Sequence, residues 1–100
     1  MTHTITLVGD VHVSKTEALR ALSQLFDTAV DDSDPANAVL TLEGGVVLSI
    51  EVPKFGEDLP LTVDLTGKDV SRLEQVTDEV IDRAREGLSW SLVVVGDQSA

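Results

Sequence analysis

The chain contains no cysteine, and this absence excludes three kinds of site. A disulfide framework, a thiolate metal site and a thiol nucleophile all require that residue. The two histidines lack a second imidazole at a ligand spacing, and no serine stands in a G-x-S-x-G elbow. His12 follows Asp10 by two residues and could act as an oriented base, but no nucleophile accompanies it. The sequence therefore predicts a protein that is not an enzyme and needs no metal or cofactor.

Basic residues are also scarce. Seven lysines and arginines stand against eighteen acidic residues, which gives a formal net charge of −11. Such a surface repels phosphate backbones and anionic lipid headgroups and attracts cationic partners. We therefore expect no direct binding to nucleic acid or membranes. The alternative interpretation is that the acidity serves only solubility.

Long apolar runs are missing as well. No stretch approaches the ~20 residues of a bilayer-spanning helix, and the N-terminal segment has no basic region followed by an apolar one. We expect a cytoplasmic protein whose residues 1–100 form a single domain around one core.

The N-terminal third predicts a strand followed by a helix. Alternation over residues 4–7 indicates a half-buried strand that closes at Gly9 and Asp10. Ser14 and Glu17 have capping-box spacing and predict a helix start. The helix is expected to continue to about Val30 with a buried stripe at three- and four-residue spacing. That stripe comprises Ala18, Leu19, Leu22, Leu25, Phe26 and Ala29.

The middle of the chain predicts a three-stranded meander. Gly44 and Gly45 separate two alternating runs and can supply positive φ at both positions of a two-residue hairpin turn. The residues expected to face the core from the two arms are Leu40, Leu42, Val46, Leu48, Ile50 and Val52. A third strand follows, with Leu59, Leu61, Val63 and Leu65 facing inward.

The C-terminal third predicts a second helix and a last strand. Thr66 and Asp69 repeat the capping-box spacing, and the helix is expected from Asp69 to about Glu86, with Gly87 as its C′ residue. Its expected buried residues are Val70, Leu73, Val76 or Thr77, Val80, Ile81 and Ala84. In the last strand one face would carry Trp90, Leu92 and Val94, the other Ser91, Val93 and Val95. Residues 98–100 are expected to fray.

The predicted order is β-α-β-β-β-α-β. One-sided alternation in the strands, with two amphipathic helices to cover one apolar face, predicts an α+β two-layer sandwich. Its sheet would be mainly antiparallel, with both helices on one face. The other face would be open and rich in Thr, Ser, Glu, Asp and Val. Such a face either meets water or forms an interface.

The second helix carries the first candidate binding surface. Its members are Glu74, Asp78, Asp82 and Glu86, here called the acidic strip. Residues spaced by four share one side of a helix, so the strip would be roughly 18 Å of negative charge able to face a cationic cleft. The alternative is an ordinary solvated helix, because each like-charge pair costs only a few tenths of a kcal/mol.

Two loops supply the other candidates. The loop Asp31–Asn37 concentrates Asp31, Asp32 and Asp34, but Pro35 stands where a calcium-binding loop would continue, so a solvated loop is a better interpretation than a metal site. The three aspartates are candidate partner-binding residues, because a cationic cleft would accept their carboxylates.

The second loop lies between Pro53 and Pro60. It carries Phe55 beside Lys54, Glu57 and Asp58. In one interpretation Phe55 caps an end of the core. In the other it is an exposed anchor ringed by charge, as at interface hot spots.

Size and charge together favour a small acidic protein-binding module. We expect an inhibitor, such as an immunity protein, that blocks a basic partner such as a secreted bacterial toxin. The alternative is a homodimeric structural or regulatory module that pairs through the open sheet face or an edge strand. Val47, Val93 and Val95 on the outer face would then form the contact.

Overall fold

The computed structural model of the chain describes residues 2–9, 11, 13–31, 38–51 and 61–99. Its main elements, in chain order, are β1 (His3–Gly9), α1 (Lys15–Leu25), β2 (Val30–Asp31), β3 (Val39–Thr41), β4 (Val47–Glu51), β5 (Leu61–Gly67), α2 (Val70–Leu88) and β6 (Leu92–Ser99). The strands form one sheet in the order β2-β3-β4-β5-β1-β6, and every pairing is antiparallel. Both helices contribute to a single apolar cluster with one side of this sheet. The predicted α+β two-layer sandwich is therefore confirmed.

The core lies where the alternation of the strands predicts it. In β5, Leu61, Val63 and Leu65 are buried while the residues between them are half-exposed. The buried members of the two hairpin arms are Leu40, Leu42, Val46, Leu48 and Ile50. Val52 and Leu59, which were also predicted to face inward, lie outside the described residues.

Helix α1 begins as predicted and ends earlier. The Ser14 hydroxyl accepts a hydrogen bond from the Glu17 amide at 3.1 Å, which confirms the predicted cap. The prediction that the helix continues to Val30 is wrong. Asp27 adopts the left-handed conformation at φ 51°, which aspartate tolerates better than most residues, and the chain turns back toward the sheet.

This turn creates a strand that the sequence did not predict. The Thr28 amide donates to the Ser23 carbonyl at 3.0 Å. Val30 then pairs with Leu40, so that residues 30–31 form the short strand β2. Ala29, predicted to be buried in the helical stripe, is exposed, and Phe26 packs half-buried against the core.

The hairpin turn contains three residues instead of the predicted two. Gly44 and Gly45 do have positive φ, at 74° and 77°. However, the Leu42 amide donates to the Val46 carbonyl at 2.7 Å, so Glu43 joins the glycines in a short 3-10 turn. Three-residue loops that end in a left-handed residue are a common hairpin connection.

Helix α2 is shifted toward the C-terminus relative to its prediction. Asp69 is its N-cap, with a carboxylate oxygen that accepts from the Arg72 amide at 3.3 Å. The predicted cap Thr66 instead lies in β5, paired with Thr4 of β1.

The prediction for the end of α2 is also wrong. Gly87 lies inside the helix, whose last residue is Leu88 and whose C-cap is Ser89 at φ 57°. A Cβ atom at position 87 would lie 2.6 Å from Leu25 Cδ1, so the glycine permits close packing of α1 against α2.

Burial along α2 follows the prediction except at its start. The buried residues are Leu73, Val76, Thr77, Val80 and Ala84. Ile81 is half-buried, whereas Val70 is 40% exposed because it is the first residue of the helix. Among the helices in the described ranges, none is long and apolar enough to cross a bilayer.

Strand β6 begins later and ends later than predicted. Trp90 precedes the strand and is half-buried against the core. Gln98 and Ser99 belong to the strand, and Ser99 pairs with His3, so the prediction that these two residues fray is wrong. Pairing with a neighbouring strand is sufficient to order a chain end.

Candidate partner-binding surface

The acidic strip lies on the outer side of α2. Its four carboxylates are all exposed, while the buried stripe of the same helix faces the sheet. The charged and buried residues lie on different sides of α2 because its apolar residues recur at three- and four-residue spacing. The positions between them therefore face water. The strip is thus about 18 Å long, from the helical rise per residue.

The charge along the strip is uneven. Arg85 donates to Asp82 Oδ1 at 3.2 Å, and both side chains are more than 60% exposed, at 64% and 63%. Within the described residues, Glu74, Asp78 and Glu86 form no ion pair. Among the side chains that the structure describes, the strip therefore presents three carboxylates without an ion pair and one, Asp82, that is partly neutralised.

A neighbouring ion pair borders the strip on the side of α1. Arg83 binds Glu79 Oε1 at 2.8 Å, and its guanidinium carbon lies 5.2 Å from the centre of the Phe26 ring. This geometry is that of a cation–π contact. Arg83 is thus directed toward Glu79 and Phe26, and its charge is balanced locally.

The open face of the sheet is polar at its centre. The Thr6 hydroxyl donates to Asp64 Oδ1 at 2.6 Å across the β1–β5 pair, and the hydroxyl oxygens of Thr4 and Thr66 lie 3.4 Å apart. A hydroxyl-rich surface with a carboxylate in its middle suits contact with water. Two valines also lie on this face, Val93 at the β6 edge, where it is 56% exposed, and the half-buried Val47 beside Thr66.

Strand β6 is an edge of the sheet and carries the largest exposed apolar group among the described residues. Val93, Val94 and Val95 are 56%, 51% and 59% exposed. A register shift inserts Val95 as an extra residue, because Thr6 pairs with Gly96 and Leu7 pairs with Val94. Such a bulge bends the strand and re-aims its side chains.

A shallow cleft separates β6 from α2. It has a volume of about 150 Å³ and is lined by Ile5, Glu74, Thr77, Asp78 and Val94. The Thr77 hydroxyl is satisfied by the Leu73 carbonyl at 2.7 Å, so the polar groups left to bind a ligand are the two carboxylates. The cleft therefore combines an apolar floor with two unpaired negative charges.

The other predicted binding residues do not join this surface within the described residues. Asp31 is exposed on β2, at the opposite edge of the sheet from β6. The remaining residues predicted to bind a partner lie outside the described residues; they are Asp32, Asp34, Lys54, Phe55, Glu57 and Asp58. Their roles stay predictions.

The cleft beside β6 was not found from the sequence. Val93, Val94 and Val95 were seen as strand residues, and Glu74 and Asp78 as helix residues, but their proximity depends on the strand order. Only the placement of β6 beside β1 brings Val94 under α2.

In comparisons with known proteins, no protein-family model matches this chain, and no curated protein matches it either.

Proposed function

We propose that the chain is a small acidic protein-binding module that occupies a basic partner through the acidic strip. The observation that carries the proposal is that Glu74, Asp78 and Glu86 are exposed and, among the described residues, have no ion pair. In a chain of net charge −11, such carboxylates attract a cationic surface and fix its position relative to α2.

The concrete form that we propose is a cytoplasmic inhibitor, such as an immunity protein that blocks a secreted bacterial toxin. The strip would fill a cationic cleft of the partner, and the sandwich behind it would exclude the partner's own ligand by its bulk. No covalent step is needed. Association would be fast at low salt and would slow as salt screens the charges.

Two triple variants test this proposal. The strip variant is Glu74→Gln, Asp78→Asn and Glu86→Gln. The matched control is Glu17→Gln, Asp27→Asn and Glu43→Gln, which are exposed carboxylates elsewhere in the fold. Both variants have a net charge of −8, three units less negative than the −11 of the parent chain.

Each protein is immobilised and exposed to lysate of the source cells at low and then high salt. The parent and the control are expected to capture the same basic protein and release it with salt. The strip variant is expected to bind that protein about tenfold more weakly, because close charge pairs across an interface contribute to affinity. Equal losses in both triple variants would mean that total charge, and not the strip, drives binding.

A homodimer is the second candidate, favoured by the exposure of Val93 and Val95 on β6. Light scattering of the parent chain would give twice the mass of 10.7 kDa in that case. Val93→Lys with Val95→Lys would return it to a monomer, since two lysines at an edge disfavour strand pairing. A parent chain that is monomeric at high concentration excludes this candidate.

A further inference from the structure

We propose that the outer edge of β6 accepts an extended segment of the basic partner as an additional strand. The segment would place an apolar side chain over Val94 and lysine or arginine side chains beside Glu74 and Asp78. This inference rests on the proposed function and specifies how the partner binds.

The two edges of the sheet differ in how they are protected. Edge strands expose unpaired backbone N–H and C=O groups, and proteins protect them by short length, charge, proline or bulges. Strand β2 is two residues long and ends in Asp31. Strand β6 is eight residues long, and its segment Leu92–Gly96 has neither charge nor proline.

Strand β6 has two protective features, the bulge at Val95 and the charged residue Asp97. Bulges also occur where a strand re-aims side chains at a binding site. Here the bulge accompanies exposure of more than half of each of the three valines. The edge of β6 is thus apolar and accessible over residues 93–95.

The cleft beside this edge specifies the chemistry of the segment. Val94 and Ile5 line its apolar part, and Glu74 and Asp78 supply its charge. The two carboxylates are one helical turn apart, about 6 Å along the axis. Alternate side chains on one face of a strand repeat at a similar spacing, about 6.8 Å. A strand with apolar and cationic residues on the same face therefore fits both parts of the cleft.

Charge favours a partner segment over a second copy of this chain. A second β6 would bring its own Glu74 and Asp78 to the same edge and add another net charge of −11. A lysine- or arginine-bearing strand meets opposite charge at the same place. Main-chain hydrogen bonds to an edge would supply affinity, and the side-chain positions would supply specificity.

Three synthetic eight-residue peptides probe the edge directly. One repeats Lys-Lys-Val-Val, which places lysine and valine in turn on each face of a strand, one repeats Glu-Glu-Val-Val, and one is the lysine peptide with prolines at its two central positions. The full ¹⁵N-labelled chain is titrated with each at low salt, and amide shifts and hydrogen exchange are recorded. The lysine peptide is expected to shift residues 92–96 and to slow exchange of their outward amides at least tenfold. The other two peptides are expected to do neither, because one carries the wrong charge and the other cannot form a strand.

Two lysine substitutions locate the contact. Val94→Lys puts a like charge against the incoming cations and is expected to weaken binding of the lysine peptide at least tenfold. Ala29→Lys adds the same charge at an exposed apolar residue beside β2, at the opposite edge of the sheet, and is expected to change binding less than twofold. Thermal unfolding of both variants checks that they fold.

The outcomes separate the two proposals. Shifts confined to α2, or equal binding by the lysine and proline peptides, overturn strand addition and leave the acidic strip as the binding surface. If the lysine peptide does not bind but a basic protein is still captured through the strip, the strand-addition proposal is wrong and the proposed function is retained. If neither occurs, both proposals are wrong. A dimer of the free chain with protected amides in β6 assigns the edge to a second copy and overturns the inference.

Discussion

Gly87 lies on α2 at the point where the Leu25 side chain of α1 approaches the helix. A Cβ at this position would lie 2.6 Å from Leu25 Cδ1, well inside van der Waals contact. Alanine is better than glycine in a helix by about 1 kcal/mol, and the close contact is with the end of a half-buried leucine side chain that can turn aside at small cost. We expect Gly87→Ala to raise the free energy of unfolding by less than about 0.5 kcal/mol, measured by urea denaturation, because displacing the Leu25 side chain offsets part of the gain in helix propensity.

Leu25→Ala provides the control for this prediction. With the leucine side chain removed, Gly87→Ala is expected to raise the free energy of unfolding by about 1 kcal/mol, as helix propensity alone dictates. The gain should therefore be larger in the Leu25→Ala background than in the parent. A gain of about 1 kcal/mol in both would show that the Leu25 side chain does not hinder a Cβ atom at position 87.

At the scale of an element, the start of α2 depends on a single cap. The Asp69 carboxylate accepts from the Arg72 amide at 3.3 Å and lies at the positive end of the helix dipole. We expect Asp69→Ala to lower the free energy of unfolding by about 1 kcal/mol. Asp69→Asn should retain most of that contribution, because asparagine caps nearly as well. Urea denaturation measures both variants.

Ser71→Ala is the matched control for the cap. Ser71 is exposed in the first turn of α2 and its side chain forms no hydrogen bond within the described part of the chain, so its loss should change the free energy of unfolding by less than about 0.5 kcal/mol. Equal effects at Asp69 and Ser71 would contradict the assignment of the cap.

Periodicity in the sequence was enough to predict most elements. Inward residues alternate with outward ones in β1, β4 and β5, and buried residues recur every three or four positions in α2. Each pattern is complete within one short segment, so it identifies the element without knowledge of the rest of the fold. The ends of the helices were less predictable. The left-handed turn at Asp27 and the continuation of α2 past Gly87 are set by packing against the rest of the fold.

Strand order could not be predicted from local pattern. Strand β1 pairs with β5 and β6, whose residues lie more than fifty positions away in the chain. For this reason the acidic strip was found from its spacing by four, whereas the cleft between Val94 and Asp78 was not. Contacts between distant segments decide which strand is an edge and which helix lies beside it.

At the scale of the whole molecule, the net charge of −11 is distributed unevenly over the described surface. The acidic strip lies on the helix that packs near β6, and Asp31 lies on the opposite edge strand. Basic residues pair with Asp82 and Glu79, which leaves Glu74, Asp78 and Glu86 without a counterion among the described side chains. Like charges spaced by four residues on a helix repel one another, and this repulsion lowers the stability of the folded chain.

Mutual repulsion along the strip should reduce the stability of the free chain. At about 10 mM salt the screening length of about 30 Å exceeds the length of the strip. Each pair of like charges at four-residue spacing then costs a few tenths of a kcal/mol. We expect the strip variant to exceed the parent in free energy of unfolding by roughly 0.5–1 kcal/mol at this salt, from urea denaturation.

At about 0.5 M salt the difference in free energy of unfolding between the strip variant and the parent should fall to less than half. At this salt, screening weakens the repulsion in the parent that the strip variant lacks at any salt. The matched control, whose three carboxylates are not adjacent on one helix, should gain less at either salt. A strip variant no more stable than the parent would show that the carboxylates do not repel one another appreciably. If the same substitutions both stabilise the free chain and abolish partner capture, the strip lowers stability in exchange for binding, as functional surfaces commonly do.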